Sequence, residues 1–224
     1  MVDTQTLPSW NDGAVKATIL DFVARITKQG SADFVPPAER ISTFDMDGTL
    51  WCERPLQVQV FFLFDRVKEL SVEDPALVER LPFKAVLEHD YNTLFGLGKQ
   101  AVFELVFATH AGMTDEDFDR VSLMKLPELN SFDDREAKPL NISLHIGRRP
   151  LLAFGNSDGD LPMLRYAKSG PGARLALLLR HDDAEREVAY DREFRLSPLV
   201  EALDKAGEYG IAVVSMKRDW KFVF

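Results

Sequence analysis

The feature that most constrains this chain is a short apolar run that leads into two acidic residues and a tight turn. Residues 41–44 (Ile-Ser-Thr-Phe) predict a buried strand, and Asp45, Asp47 and Gly48 follow it directly. Open α/β sheets bind their ligands at the carboxyl ends of their strands. We therefore expect Asp45 to lie at the mouth of a ligand site.

The spacing of the two acidic residues favours phosphoryl chemistry. Residues two apart on an extended chain point the same way, so Asp45 and Asp47 can converge on one pocket. One carboxylate can attack a phosphoryl group and form an aspartyl-phosphate, while the other moves protons to the leaving oxygen. Gly48 lets backbone N–H groups approach an anion closely. The alternative is a strand that simply ends in an Asp-Gly turn, which is common in proteins.

Strand and helix patterns alternate from residue 151 onward, which is typical of a parallel sheet with helices on both faces. The predicted strands are 151–154, 174–179 and 211–214, and the predicted helices between and after them are 162–168, 182–190 and 197–206. Before this region, the chain is helical and rich in aromatic residues, with predicted helices at 58–67, 81–95, 99–109 and 114–124 and a short strand at 123–129. That block is far longer than a single crossover needs, which favours an inserted domain.

A second polar cluster follows the next predicted strand, with Asn156, Asp158 and Asp160 at alternate positions. Mg²⁺ takes oxygen ligands in octahedral geometry, and these side chains offer such oxygens. An EF-hand loop is excluded, because Leu161 occupies the position that requires Gly and Ala167 the position of the bidentate Glu.

Two motifs resemble the haloacid dehalogenase superfamily in its phosphatase form. Residues 44–50 (Phe-Asp-Met-Asp-Gly-Thr-Leu) resemble its first motif, and residues 154–164 (Phe-Gly-Asn-Ser-Asp-Gly-Asp-Leu-Pro-Met-Leu) resemble its last, metal-binding motif. The second Asp of the first motif argues against dehalogenation, and the surrounding sequence resembles a bacterial branch labelled phosphoserine-phosphatase-like. The resemblance implies an α/β, Rossmann-like parallel sheet core at 1–53 and 138–224, with an inserted, mainly helical cap at 54–137.

The resemblance also implies roles for individual residues. Asp45 would be the nucleophile, Asp47 the acid-base residue and Lys138 the cation beside the phosphoryl group. Gly48, Thr49 and Lys138 are expected to bind phosphate. The expected cofactor is Mg²⁺, and its candidate ligands are Asp45, Asp47 through its carbonyl, Asn156, Asp160 and Asp158.

Asn156 departs from the superfamily pattern, which usually has Asp at this position. An amide oxygen can bind the ion but adds no charge, so Asp158 or Asp160 could take its place; Asp160 matches the family's second acidic position. Asp160 could also cap the helix that follows, and Lys138 could be an ordinary surface lysine. His181, at the end of a later strand, is either a substrate contact or a helix cap.

The superfamily's second motif is a strand that ends in Ser or Thr, and this chain has no good counterpart for it. Thr109 follows an apolar run, but the spacing of that run is helical. Without this strand, the strand at 41–44 has an edge with unpaired N–H and C=O groups. The cap helices, the segment from Leu123 or a second copy of the chain would cover that edge, so a homodimer is one expectation.

Composition excludes several classes of function. The 224 residues carry a net charge of -9, which leaves no basic excess for general nucleic-acid binding. The apolar stretches are too short for a membrane span, so no membrane partner is expected. The first residues lack a secretory signal pattern and the single cysteine, Cys52, fits a reducing compartment, so a cytoplasmic location is expected.

The sequence therefore predicts a Mg²⁺-dependent phosphatase that acts on a small phosphorylated metabolite through an aspartyl-phosphate. The alternative is a catalytically impaired relative that binds metal or phosphate and works by interaction. The missing hydroxyl motif favours the alternative, whereas the intact Asp45 and Asp47 favour the enzyme.

Overall fold

The computed structural model describes residues 6–54, 57–110 and 133–223. The chain divides into two compact units. The first unit is formed by Met1–Pro55 together with Asp133–Phe224, and the second by Leu56–Phe132.

The first unit is built on a parallel sheet of four strands in the order β1-β2-β3-β4. These strands are β1 (Ser42–Phe44), β2 (Leu152–Gly155), β3 (Leu175–Arg180) and β4 (Ala212–Ser215). Each strand pairs in parallel with the next one, in agreement with the strand and helix alternation of the sequence. The α/β Rossmann-like fold predicted from the sequence is thereby confirmed.

The α-helices of the described residues fall in both units. They are α1 (Ala14–Thr27), α2 (Val58–Glu73), α3 (Leu81–Leu87), α4 (Tyr91–Gly96), α5 (Lys99–His110), α6 (Ala137–Ile146), α7 (Leu161–Lys168), α8 (Glu201–Lys205) and α9 (Met216–Asp219). Short 3₁₀ helices occur at Pro37–Glu39 and Pro75–Glu79. None of these helices is long and apolar enough to cross a membrane.

The sheet is covered on both faces, and successive residues of β3 show this most clearly. Leu177 and Leu179 belong to a core cluster that includes Phe22 of α1. Leu178 belongs to a different cluster, which includes Leu164 of α7. Because side chains alternate between the two faces of a strand, one apolar strand fills two separate cores.

The strand β1 is less buried than the sequence predicts. It lies at the end of the sheet, and Phe44 is 42% exposed. β1 is short and has a strand beside it on one side only, within the described residues. Its burial therefore does not approach that of the central β3, and the prediction of a buried strand at 41–44 is wrong.

Two of the predicted helices differ from the structure because local polar groups interrupt them. The helix expected at 81–95 is split into α3 and α4 at His89, which has a positive φ of 57°. The side chain of Asp90 then accepts a hydrogen bond from the Thr93 N–H at 3.0 Å and caps α4. No helix forms at 182–190. There the guanidinium of Arg186 donates to backbone carbonyls near the end of the chain, including that of Met216 at 2.9 Å.

The second unit is a helical cluster with its own core. Val67 of α2, Phe83 and Val86 of α3 and Leu105 of α5 are buried together. Thr109 is also buried, and its hydroxyl donates to the Leu105 carbonyl at 2.8 Å within α5. The helix predicted at 114–124 and the strand predicted at 123–129 lie outside the described residues.

Candidate active site

The backbone around Asp45 brings its side chain to the carboxyl end of the sheet. The Asp45 N–H donates to the Phe154 carbonyl at 2.9 Å, which extends the pairing of β1 with β2 by one residue. The chain then turns sharply, and the N–H groups of Leu50 and Trp51 both donate to the Met46 carbonyl. Asp45 is therefore placed by the sheet, and the residues after it by a compact turn.

Gly48 is required in that turn for two reasons. Its φ is +82°, in the left-handed region that favours glycine. A Cβ atom at this position would lie 2.7 Å from Glu53 Oε1 and closer still to the amide nitrogen of Asn156. The turn after β1 is thus packed directly against the loop after β2.

Lys138 connects the ends of these two neighbouring strands. It lies in the first turn of α6, and its Nζ atom is 2.6 Å from Asp45 Oδ1 and 2.6 Å from Asp160 Oδ1. The Lys138 side chain is 12% exposed, that of Asp45 19% and that of Asp160 0%. Both ion pairs are largely shielded from water, where they are stronger and less screened by salt than surface pairs.

Asp160 is held rigidly by the loop that contains it. Its Oδ2 atom accepts hydrogen bonds from the N–H groups of Asn156 and Ser157, each at 2.9 Å, and from the Ser157 hydroxyl at 3.0 Å. Gly155 makes this possible, because a Cβ atom there would lie 2.5 Å from the Asp160 carboxyl carbon. With Oδ1 bound to Lys138, both oxygens of Asp160 have partners.

The charges of this cluster act on one another. Burial first, and the charge of Asp160 second, raise the pKa of Asp45 to about 6, although Lys138 opposes the shift. For Lys138, burial opposes the charge, but Asp160 and Asp45 outweigh it and raise the pKa of the ammonium above its usual value. At neutral pH Lys138 is therefore charged, and Asp45 is an ionised carboxylate of unusually high basicity.

Two other oxygens meet at the hydroxyl of Thr49. Thr49 Oγ1 lies 3.4 Å from Asp45 Oδ2 and 3.3 Å from Asn156 Oδ1. Carboxylate and amide oxygens are the ligand types that Mg²⁺ prefers. Asp45 and Asn156 are therefore the side chains here that could hold such an ion.

The described ranges contain no metal site built from His, Cys, Asp and Glu side chains alone. No group of three or more His, Cys, Asp and Glu residues there is arranged to hold a metal ion. A magnesium site does not need such a group, since amide oxygens, carbonyls and waters complete its shell. The ligand roles of Asp45, Asn156 and the Asp47 carbonyl stay predictions.

Asp47 lies in the turn but not in the lysine cluster. Its Oδ1 atom accepts a hydrogen bond from the indole N–H of Trp51 at 2.6 Å. Among the described residues, the ion pairs of Lys138 are with Asp45 and Asp160. The indole fixes one oxygen of the Asp47 carboxylate, and the acid-base role of Asp47 stays a prediction.

Asp158, one of the predicted metal ligands, is used for a structural purpose. Its Oδ1 atom accepts hydrogen bonds from the N–H groups of Val200 at 3.0 Å and Ala202 at 2.8 Å. These groups lie at the start of α8, so Asp158 caps that helix from a distant loop. This cap also explains why α8 begins at Glu201 and not at the predicted residue 197.

His181 supports the turn after Asp45, which the sequence did not predict. Its Nε2 atom lies 2.7 Å from the Gly48 carbonyl and its Nδ1 atom 2.8 Å from Glu187 Oε2. Both partners are acceptors, so this arrangement favours the imidazolium form, in which both ring nitrogens donate. Burial lowers the pKa of His181, but Glu187 and the Gly48 carbonyl outweigh it, and the pKa is raised. Because no helix forms at 182–190, His181 is not a helix cap, and its role as a substrate contact stays a prediction.

Glu53 is the second residue whose position was not anticipated. It is 1% exposed, and its Oε1 atom accepts a hydrogen bond from Asn156 Nδ2 at 2.9 Å. Ser197 Oγ donates to Oε2 at 2.8 Å. Its place directly after the first motif was the one available signal, but its burial depends on residues more than a hundred positions away.

Comparison with known proteins gives no family assignment. The sequence matches no protein-family model. No curated protein matches it either. The residues of the site are therefore the basis for a functional assignment.

Proposed function

We propose that this chain is a magnesium-dependent phosphomonoesterase that resembles the haloacid dehalogenase superfamily and acts on a small phosphorylated metabolite. One observation carries the proposal: a lysine with a 12% exposed side chain bridges Asp45 and Asp160, at 2.6 Å from each. Asp45 belongs to the first motif and Asp160 to the last, so the proposal draws on two motifs 115 positions apart that share one cation.

Asp45 suits the role of nucleophile. Its Oδ1 atom is held by Lys138, while its Oδ2 atom makes a long contact of 3.4 Å with Thr49. Oδ2 is thus the oxygen that would attack phosphorus and displace the alcohol, giving an aspartyl-phosphate on Asp45. Water would then attack the phosphorus, release phosphate and return Asp45 to its starting state.

The leaving alcohol needs a proton, and Asp47 is proposed to supply it. The hydrogen bond from Trp51 holds Oδ1, so Oδ2 is the atom that would carry the proton. In the second step the same carboxylate would take a proton from the attacking water. Lys138, kept charged by its two carboxylate partners, would neutralise the phosphoryl oxygens.

A magnesium ion, when bound, would draw negative charge from the phosphoryl group and so lower the barrier to attack. The Asp45 carboxylate and the amide oxygen of Asn156 would hold it. Asp160 would act through Lys138, because its oxygens already have partners in the loop and in the lysine.

A second candidate function is binding without turnover, and the state of Thr109 favours it. The superfamily places a hydroxyl at the end of a strand to hold the phosphoryl group, but the Thr109 hydroxyl is bonded to Leu105 within α5. Thr49 supplies a hydroxyl next to Asp45, although from a different part of the chain. A lost contact of this type costs about 10²–10³ in rate, which would slow the enzyme without abolishing it.

Hydrolysis of a chromogenic aryl phosphate with Mg²⁺ tests the proposal. The wild type should turn over the substrate, Asp45→Asn should not, and Asp33→Asn should behave as the wild type. Asp33 is a suitable control because it pairs with Arg25, outside the cluster described above. Equal rates in the wild type and Asp45→Asn would eliminate the enzyme and leave binding without turnover. A panel of phosphorylated metabolites would then define the substrate.

A further inference from the structure

Glu53 is a buried carboxylate for which the proposed reaction has no use. Its exposure of 1% is low even among the polar residues of the interior. Burying a charged group is costly unless specific hydrogen bonds compensate for it. Two bonds that this carboxylate accepts, from Asn156 and Ser197, show where it acts.

The hydrogen bond to Glu53 determines how the Asn156 side chain is oriented. A carboxylate has no hydrogen to donate, so Asn156 must turn its NH₂ group toward Glu53. The amide oxygen then points the other way, where it lies 3.3 Å from Thr49 Oγ1. Asn156 is 2% exposed, which leaves little room for water to substitute for either partner.

The same bond polarises the amide. A carboxylate that accepts from the NH₂ group pushes electron density toward the amide oxygen and makes that oxygen a better ligand. Asn156 is neutral where the related motif usually has a charged Asp. In this chain the negative charge is instead carried by Glu53, which accepts a hydrogen bond from Asn156.

We propose that Glu53 is a positioning residue that orients and polarises Asn156 as a ligand for the catalytic divalent cation. The inference rests on the proposed function, because it assumes that Asn156 binds magnesium. It goes beyond that function because it gives the buried carboxylate of Glu53 a role in metal binding. Gly48 supports the arrangement, since a side chain there would collide with both members of the pair.

A cycle of Glu53→Gln, Asn156→Asp and the double variant tests this pair. In Glu53→Gln the new amide can still accept from Asn156 but carries no charge, so this variant should weaken magnesium binding about tenfold. In Asn156→Asp the new carboxylate has no hydrogen to donate to Glu53, whereas in the double variant the glutamine can donate to the aspartate. The change in magnesium affinity that Asn156→Asp causes can be measured in the wild-type and in the Glu53→Gln background. This change should be at least tenfold more favourable in the Glu53→Gln background.

The measurement is calorimetric titration of each metal-free protein with Mg²⁺ alone. Asp219→Asn is the matched control, because Asp219 is also buried and accepts a backbone N–H, from Ser215, at 2.8 Å. Its magnesium affinity should equal that of the wild type. A merely structural role for Glu53 would change melting temperatures but not the coupling between the two positions in magnesium affinity.

Each outcome of the titrations either supports or overturns the role of Glu53. The expected coupling supports the inference, and equal effects of Asn156→Asp in both backgrounds overturn it while the proposed function stands. If Asn156→Asp does not fold, Glu53→Gln decides alone: weaker magnesium binding supports the inference, and wild-type affinity overturns it. A wild-type protein that binds no magnesium overturns this inference and the proposed function together.

Discussion

The loop after β1 and the loop after β2 meet at the same edge of the sheet, but they are built differently. In the first, Asp45 is partly exposed and one of its oxygens makes a long contact with Thr49. In the second, Asp160 is fully buried and both of its oxygens have close partners. The first loop carries the carboxylate that we propose as the nucleophile, and the second holds its carboxylate rigidly. Lys138 forms ion pairs with both carboxylates and so links the two loops.

Removal of Lys138 should have the largest effect, because it removes both ion pairs that link the two loops. Lys138→Met should lower turnover of an aryl phosphate by about 10²–10³. It should also destabilise the fold by about 3–5 kcal/mol, since the fully buried Asp160 and the partly exposed Asp45 lose their cation. Denaturant unfolding measures the second effect. Lys138→Arg, which keeps the charge, should retain much of the stability; equal losses in both variants would contradict the ion-pair explanation.

The same chemical change in the two carboxylates should affect stability differently. Asp160→Asn should destabilise the protein by about 3 kcal/mol, because the second loop loses a charged acceptor bound to two N–H groups and a lysine. Asp45→Asn should leave the melting temperature at pH 7 unchanged or raise it. The raised pKa of Asp45 means that the folded state disfavours its charge. Thermal unfolding of both variants checks this contrast, which fails if Asp45→Asn is the less stable of the two.

Gly48 and Gly30 provide a matched test of the packing between the loops. Both have φ of +82°, but a Cβ atom on Gly30 would have no neighbour within 4 Å, whereas one on Gly48 would meet Asn156 and Glu53. Gly30→Ala should cost about 1 kcal/mol from backbone strain alone. Gly48→Ala should cost about 2–3 kcal/mol and weaken magnesium binding. Equal stability losses would show that the loops are not packed as described.

The smallest expected effect is on the pH dependence of stability, and it comes from His181, which supports the first loop. Its pKa is raised in the folded protein, so the folded state binds the proton more tightly than the unfolded state. The resulting stabilisation is present below the unfolded pKa of about 6.5 and is lost as the pH rises through the folded pKa. The melting temperature of His181→Gln should therefore fall furthest below that of the wild type near pH 5. A difference in melting temperature that does not depend on pH would contradict this expectation. His145→Gln is the control, because His145 is exposed.

The sheet could be predicted from the sequence because its signals are local. The apolar runs of β2, β3 and β4 and the helix between β2 and β3 are each visible within ten residues or fewer. The exposure of β1 was missed, because a strand's position in the sheet order is not a local property. The break at His89 was also missed, since a positive φ at a residue other than glycine has no reliable sequence signal.

The candidate site was accessible to sequence reasoning only in part. The motifs indicated Asp45, Asp160 and Lys138, and the structure brings these three side chains together. Sequence could not separate Asp158 from Asp160, because their tasks depend on partners elsewhere in the chain. Asp158 caps a helix 42 and 44 residues further on. The hydrogen bond from Asn156 to Glu53 joins residues 103 positions apart, so no local sequence pattern predicts it.

The most direct test of the central claim is to trap the phosphorylated protein. The wild type is mixed with radiolabelled p-nitrophenyl phosphate and Mg²⁺, quenched in acid within the first turnover, and digested for peptide mapping. We expect covalent label on the peptide that contains Asp45, and none in Asp45→Asn. Label on a different peptide, or product formation with no labelled protein at any quench time, would contradict it.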